Sequence, residues 1–137
     1  MANIPLVDLG AQHRQIADEV ARGFARVLET TSFILGKEVK QFEEAFAAFV
    51  GAKHCVAVAN GTDALELALR AAGVGPGAEV ILPTNTFIAT ALAVARAGAT
   101  PVLVDCEPVH YMLDVEQVAK KITPRTRAIM PVDLYGQ

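Results

Sequence analysis

Apolar residues recur at helical spacing through the first third of the chain. Between residues 12 and 29 they fall three or four positions apart, and a Thr-Thr-Ser break follows. Residues 37–50 place their phenylalanines on one face and polar residues elsewhere, and Gly51 follows directly. The pattern therefore predicts two helices, which together make an N-terminal helical segment over residues 1–53.

From residue 54 onward, short apolar runs alternate with stretches of good helix formers. Such alternation with short connections is typical of βαβ units around a parallel sheet. We therefore predict an α/β fold over residues 54–137, a mostly parallel sheet with flanking helices. The predicted strands are 55–59, 79–82, 101–104 and 128–132, and the predicted helices are 63–72, 86–97 and 114–122. Because the last strand-like run has no closing helix after it, we expect an incomplete, truncated domain.

Composition places the chain among folded proteins and gives no support for a nucleic-acid partner. Of its 137 residues, 53% are hydrophobic and 20% are charged, with a net charge of -3 and no basic face. The N-terminus lacks the pattern of a secretory signal. The most apolar stretch is residues 90–104, and it is interrupted too often by polar residues, glycine and proline to cross a membrane. Two cysteines and three histidines lack metal-ligand spacing. We therefore expect no metal and a cytoplasmic location.

The strongest local signal is Asn60-Gly61-Thr62, between a predicted strand and a predicted helix. A hairpin turn is disfavoured there because the residues that follow are helix formers rather than a returning strand. Free N–H groups and the helix dipole at such a junction favour an anion, and Gly61 permits close approach of the backbone. A phosphate site and a plain helix N-cap are both consistent with the pattern. By the same physics Asp114 is predicted to cap the helix at 114–122.

Two further sets of residues after the predicted strands are candidates for chemistry, and the lysines are a third group to weigh. Thr86 is predicted to be the N-cap of the helix that it begins. Phe87 either packs in the core or presents its ring to a ligand at the neighbouring junction. Asp105 is expected to cap local backbone N–H groups. The lysines lie among polar neighbours, so none is predicted to form a Schiff base.

The chain resembles the DegT/DnrJ/EryC1/StrS aminotransferases along nearly its whole length. The stretch FEEAFAAFVGAKH at 42–54 resembles the family's FE-x-x-FA-x-(Y/F)-x-G-x-K-H motif, and NGTDAL at 60–65 resembles its phosphate turn. The match continues in order through EVILP at 79–83, TFIAT at 86–90, GATPV at 98–102, ITPRT at 122–126 and LYGQ at 134–137.

The resemblance implies a type I fold that binds pyridoxal 5'-phosphate (PLP), usually as a homodimer. It implies transfer of an amino group, often from glutamate, to a keto sugar linked to a nucleotide. Gly61 and Thr62 would hold the PLP phosphate, Phe87 would stack on the pyridine ring, and Phe33 and Ile34 would lie near the sugar pocket. The Schiff-base lysine and the acid that faces the pyridine nitrogen are expected beyond Gln137.

Two alternatives to transamination stay open at this point. One is a PLP-dependent sugar dehydratase of the same superfamily, in which the usual lysine is replaced. The other is a non-catalytic binding or regulatory protein with the same fold. A nucleotide-binding α/β domain is disfavoured, because no G-x-G-x-x-G or Walker A string follows any predicted strand. We expect the 137-residue chain alone to lack transaminase activity and to bind PLP weakly at best.

Overall fold

The computed structural model of the protein describes residues 7–136. Packing divides the chain into two compact units, Met1–Ala57 and Val58–Gln137. The predicted domain organisation, with its boundary after residue 53, stays a prediction. No helix in the described part of the chain is both long and apolar enough to cross a membrane.

The first unit contains two helices, α1 (Leu9–Thr30) and α2 (Lys37–Val50). Helix α1 begins earlier than predicted because the Asp8 carboxylate accepts a hydrogen bond from the Ala11 N–H (2.9 Å), which caps its first turn. Helix α2 has the predicted bounds. It ends where Gly51 takes a left-handed conformation (φ 68°), as expected of a glycine after a helix.

The second unit is a three-stranded parallel sheet with helices on both faces, which confirms the predicted α/β fold class. The strand order is β2-β1-β3, and both neighbours run parallel to the central strand. Its elements, in chain order, are α3 (Gly61–Ala71), β1 (Glu79–Pro83), α4 (Ala89–Arg96), β2 (Thr100–Val104), α5 (Val115–Lys121), β3 (Thr126–Ile129) and a short 3-10 turn (Leu134–Gly136).

Strand β1 is the centre of the core, and all five of its residues are buried. Alternate side chains of a strand point to opposite faces of the sheet. Val80 and Leu82 accordingly pack in a cluster with α3 and α4, which includes Val94. Ile81 packs in a second cluster with Val118 of α5 on the other face. Burial on both faces explains why β1 reads as a continuous apolar run.

The predicted strand at 55–59 is wrong, and the sheet described here has three strands rather than four. An apolar run becomes a strand only where a neighbouring strand supplies hydrogen bonds, and within residues 7–136 no strand pairs with residues 55–59. The last strand also ends earlier than predicted. Met130 N–H still donates to the Ile81 carbonyl (2.8 Å), but Pro131 has no N–H with which to extend the pairing.

The helix predicted at 86–97 begins only at Ala89, so Thr86 is not its N-cap. The Thr86 hydroxyl instead forms a hydrogen bond with the Thr90 hydroxyl (2.9 Å), and the intervening chain makes a turn. The capping role predicted for Asp114 is confirmed, since its carboxylate accepts two backbone N–H groups at the start of α5.

Candidate functional site

A cleft of about 630 Å³ opens where the chain leaves the carboxyl ends of the strands. Ligands of open α/β sheets bind at this edge. The cleft brings together the three residues predicted to bind the cofactor, because the start of α3 and the turn after β1 both reach it. Its lining residues are Gly61, Thr62, Ala64, Leu65, Thr86, Phe87, Ala89, Thr90 and Val132.

The start of α3 combines a cap with open hydrogen-bond donors. The Asn60 side chain accepts from the Asp63 N–H (3.0 Å), and the Asn60 carbonyl accepts from the Ala64 N–H (3.1 Å). The N-cap interpretation is therefore confirmed for Asn60. Within residues 7–136, the N–H groups of Gly61 and Thr62 have no hydrogen-bond acceptor. They remain available to an anion at the positive end of the helix dipole.

Gly61 leaves the backbone at this end of the cleft uncovered. A Cβ built on it would meet no atom within 4 Å, and its φ lies outside the left-handed region. Neither crowding nor backbone conformation therefore requires glycine here. What glycine provides is access, because a ligand can approach the main-chain N–H groups without a side chain in the way.

Asp63 places a carboxylate next to this open pair of N–H groups, and nearby donors offset its charge. The Asn60 side-chain amide donates to one carboxylate oxygen (2.9 Å). The Arg96 guanidinium lies 3.4 Å from the other oxygen. An anion at the helix start therefore faces a carboxylate that already has both a hydrogen-bond donor and an ion-pair partner, which reduces the repulsion between them.

Phe87 lies on the turn between β1 and α4, and 76% of it is exposed. The core-packing alternative for this ring is therefore wrong. An exposed aromatic ring on the wall of a cleft is free to stack on a flat ligand. Its placement beside Gly61 and Thr62 puts an apolar flat surface and a pair of anion-binding donors in one site.

The remaining predicted residues have other surroundings. Asp105 caps backbone as predicted, because its carboxylate accepts from the Cys106 N–H (2.9 Å). Phe33 and Ile34 lie in the first unit, between α1 and α2, and are 64% and 86% exposed. Their role at a substrate pocket stays a prediction. Among residues 7–136, no three His, Cys, Asp or Glu side chains lie close enough together to bind a metal ion.

Sequence reasoning missed Val132 and the loop between β2 and α5. Val132 lies just after the carboxyl end of a strand, as Phe87 does. Since ligands of open α/β sheets bind at the carboxyl ends of the strands, the same argument that selected Phe87 would have found Val132. The loop is organised by Glu107, whose carboxylate accepts from the N–H groups of Val109 and His110 (2.7 Å each) and Met112 (3.3 Å). Partial burial raises the pKa of Glu107, but these hydrogen bonds outweigh it and the pKa lies below its ordinary value.

Comparison with known proteins finds relatives along almost the whole chain. The model of the DegT/DnrJ/EryC1/StrS aminotransferase family matches residues 14–137. The UDP-2-acetamido-2-deoxy-3-oxo-D-glucuronate aminotransferase of Pseudomonas aeruginosa is 52% identical over 134 residues, which are 98% of this chain and 37% of that protein. A pleiotropic regulatory protein of Geobacillus stearothermophilus is 49% identical over 98% of this chain and 36% of its own length.

Two solved structures share both the fold and 33% or more of the aligned sequence with this chain. The structure of DesV from S. venezuelae in complex with a ketimine intermediate has a TM-score of 0.92 and 47% identity, and the match covers 100% of this chain and 37% of that one. NtdA from Bacillus subtilis with its bound cofactor PMP has a TM-score of 0.91 and 33% identity, with coverage of 100% and 32%. The chain thus spans less than two fifths of the length of these relatives. The match to the family model over nearly all of its residues shows that the chain belongs to the DegT/DnrJ/EryC1/StrS aminotransferase family.

Proposed function

We propose that this chain forms the phosphate-binding and ring-stacking part of a PLP-dependent aminotransferase. The whole protein would transfer an amino group, from a donor such as glutamate, to a keto sugar linked to a nucleotide. One observation carries the proposal: a single cleft combines the open N–H groups of Gly61 and Thr62 with the exposed ring of Phe87. The names of the relatives, and the PMP bound to NtdA, point to the same chemistry.

The cleft fits the two chemically distinct ends of PLP. A phosphate dianion suits the start of α3, where two backbone N–H groups, the Thr62 hydroxyl and the helix dipole all favour negative charge. A flat pyridine ring suits the exposed face of Phe87. The volume of about 630 Å³ is also typical of small-molecule sites. When bound, PLP supplies an electron sink for the reacting amine.

The residues of this chain would bind and orient the cofactor rather than carry out the proton transfers. Two contacts at opposite ends of a rigid group define its orientation better than one, so the phosphate donors and the Phe87 ring act together. No lysine lines the cleft in the described part of the chain. The proposal therefore assigns the Schiff-base lysine, and the acid at the pyridine nitrogen, to sequence beyond Gln137.

We also infer from the family a homodimer in the cytoplasm. Sedimentation of the full-length protein would measure its assembly. The regulatory name of the Geobacillus stearothermophilus relative favours, as a second candidate, a protein that binds the cofactor without transamination. A sugar dehydratase is the third. Phe33 and Ile34 are proposed to contact the sugar in any of these proteins.

Titration with pyridoxamine 5'-phosphate (PMP) tests the proposed cleft directly, because PMP cannot react with surface lysines as an aldehyde does. We expect weak binding to the 137-residue chain that inorganic phosphate competes away. Thr62→Val removes one hydroxyl donor and should weaken PMP binding by roughly tenfold to a hundredfold, because one hydrogen bond to a charged group is worth about 1.5–3 kcal/mol. Thr100→Val, at the other end of the sheet, is the matched control. Equal affinities for the two variants would contradict the assignment.

Full-length protein distinguishes the three candidate activities. With a nucleotide-linked keto sugar and glutamate, an aminotransferase forms 2-oxoglutarate and amino sugar in equal amounts. A dehydratase removes water from the sugar without consuming glutamate. A regulatory protein binds PMP and turns over neither substrate. The 137-residue chain on its own is expected to show no transaminase activity.

A further inference from the structure

Phe87 has little packing around it, so its position in the cleft depends on how its backbone is held. With 76% of the residue exposed, core contacts do not fix it. Its turn is attached to the rest of the unit by hydrogen bonds from its neighbours. Thr84 N–H donates to the Val104 carbonyl (2.9 Å), and the Asn85 side-chain amide donates to the Tyr111 carbonyl (2.9 Å). Asn85 therefore links the Phe87 turn to the loop between β2 and α5.

Tyr111 in turn contacts the segment that forms another part of the cleft. Its ring meets the ring of Tyr135 edge to face, with centroids 6.4 Å apart and an interplanar angle of 83°. Tyr135 lies just after Val132, which lines the cleft. A continuous route thus runs from the Phe87 turn through Asn85, Tyr111 and Tyr135 to the Val132 segment.

Both tyrosines adopt a backbone conformation that ordinary residues avoid. Tyr111 and Tyr135 each have a φ of 62°, in the left-handed region, which costs conformational free energy in a residue with a Cβ. Such conformations persist only where the surrounding contacts hold them, and they concentrate at functional sites. Here the edge-to-face contact joins the two strained residues to each other. The Tyr111 carbonyl also accepts the Asn85 amide.

We propose that Asn85, Tyr111 and Tyr135, which we call the rim cluster, position Phe87 and Val132 around the cleft. This inference rests on the proposed function, since it assigns the rim cluster to the ring-binding end of the cofactor site. The members are positioning residues, because they act through Phe87 and Val132. Phosphate binding at Gly61 and Thr62 is expected not to depend on them, because the rim cluster acts through Phe87 and Val132 rather than through the start of α3.

The chain supplies its own optical reporter of the rim cluster. It contains two tyrosines and no tryptophan, so the emission that follows excitation of the tyrosine band comes from Tyr111 and Tyr135. A change in their mutual packing changes that emission with no label added. Binding of an absorbing ligand close to the pair quenches it.

The test compares Asn85→Ala with Gln117→Ala. Gln117 also donates a side-chain amide hydrogen bond, to Asp114 (2.8 Å), but it is not on the route to the cleft. In the free chain labelled at phenylalanine, Asn85→Ala should shift the aromatic NMR signals of Phe87, identified with a Phe87→Leu variant, and change the tyrosine emission. Gln117→Ala should change neither. This comparison needs no bound ligand.

Binding measurements with PMP and with inorganic phosphate distinguish contacts to the pyridine ring from contacts to the phosphate. Asn85→Ala should lower the affinity for PMP by roughly threefold to tenfold, because a displaced Phe87 ring loses the free energy of one aromatic contact. It should leave the affinity for inorganic phosphate unchanged. Tyr135→Phe keeps the ring and should behave as wild type, whereas Tyr135→Leu should behave as Asn85→Ala does. A purely structural role would instead lower the melting temperature of all these variants without a selective loss of PMP.

The rim cluster and the proposed function would be contradicted by different results. Unmoved Phe87 signals in Asn85→Ala, or PMP affinity equal to that of Gln117→Ala, would overturn the rim cluster and leave the proposed function standing. Absence of PMP binding by the full-length protein would overturn the proposed function, while the Phe87 signals of the free chain would still decide whether the rim cluster positions that ring.

Discussion

At the scale of single residues, the candidate site divides its work between backbone and side chains. In the proposed assignment, the phosphate would bind the main-chain N–H groups of Gly61 and Thr62, and the pyridine ring would stack on the side chain of Phe87; all three residues line the cleft. Contacts made by the main chain are changed by substitution only if the new side chain blocks access. Contacts made by a side chain are lost outright. The two ends should therefore respond differently to mutation.

Gly61→Ala should separate binding from stability. The added methyl group meets no protein atom within 4 Å, and Ala is the better helix former, so the free energy of unfolding should stay constant or rise by about 0.5 kcal/mol. Because the methyl group stands at the cleft, affinity for inorganic phosphate and PMP should fall by roughly tenfold, about 1.4 kcal/mol. Urea unfolding and calorimetric titration measure the two quantities.

The matched control for this change is Gly23→Ala in α1, another helical glycine with room for a methyl group. It should stabilise its helix by a similar amount and leave binding unchanged. If Gly61→Ala bound phosphate as tightly as Gly23→Ala does, the start of α3 would not be the phosphate site.

Phe87→Leu should weaken PMP binding but have little effect on stability. Since 76% of Phe87 is exposed, the loss in free energy of unfolding should stay below about 1 kcal/mol. Loss of ring stacking should lower PMP affinity by roughly threefold to tenfold and spare inorganic phosphate. Phe49→Leu, in α2 and 86% exposed, serves as the control. A large drop in melting temperature for Phe87→Leu would contradict the prediction that this ring contributes little to stability.

At the scale of elements, a buried carboxylate links two strands at the end of the sheet opposite the cleft. Glu79 begins β1 and is 7% exposed, and its carboxylate accepts hydrogen bonds from the Thr123 hydroxyl and the Arg125 guanidinium (Nε, 2.8 Å). These hydrogen bonds, that of Thr123 first, lower the pKa of Glu79 below its ordinary value of 4.5, although burial acts to raise it. The same contacts tie the start of β1 to the segment that leads into β3.

The lowered pKa of Glu79 predicts a loss of stability in acid. The unfolded chain takes up a proton at the ordinary pKa, before the folded chain does, so the free energy of unfolding should fall as pH drops from about 4.5 toward the folded pKa. Glu79→Gln should be less stable at neutral pH and should lose part of that pH dependence. Urea unfolding across this range measures both effects. Glu116→Gln, an exposed change in α5, should keep the wild-type slope.

The same elements show what the sequence could and could not predict. The bounds of α2 follow from local signals, because glycines flank an amphipathic stretch on both sides. The strand predicted at 55–59 failed because hydrophobicity identifies an apolar run but not the neighbour with which it pairs. Strand ends and the family motif located Gly61 and Phe87. The contact between Tyr111 and Tyr135 depends on left-handed backbone at residues with no glycine signal, so no pattern in the sequence indicated it.

At the scale of the whole molecule, burial is distributed unevenly between the two units. Helix α1 buries none of its residues and α2 buries Ala47, whereas every residue of β1 is buried. Tertiary packing supplies most of the stability of helices in proteins. The unit Val58–Gln137 should therefore be the more resistant of the two to local opening.

Hydrogen exchange measured by mass spectrometry should reveal this difference. Amides of β1 should exchange slowest and those of α1 close to the rate of an unfolded peptide, because α1 has no buried contacts to break. Ile81→Ala should cost about 2–5 kcal/mol and speed exchange through the sheet. Val20→Ala, at a site that is 49% exposed in α1, should cost less than about 1 kcal/mol. Equal protection of α1 and β1 would contradict this prediction.

The open N–H pair at the start of α3 also bears on how such a site can diversify. Recognition by the main chain is insensitive to the identity of most side chains, so substitutions away from Gly61 and Thr62 cannot easily remove the phosphate-binding N–H groups. The walls of the cleft, in contrast, are made by side chains such as Leu65, Phe87 and Val132. Selection can therefore alter the walls one residue at a time while the phosphate-binding N–H groups persist. A lineage built on this turn would be expected to vary its substrates far more readily than its cofactor.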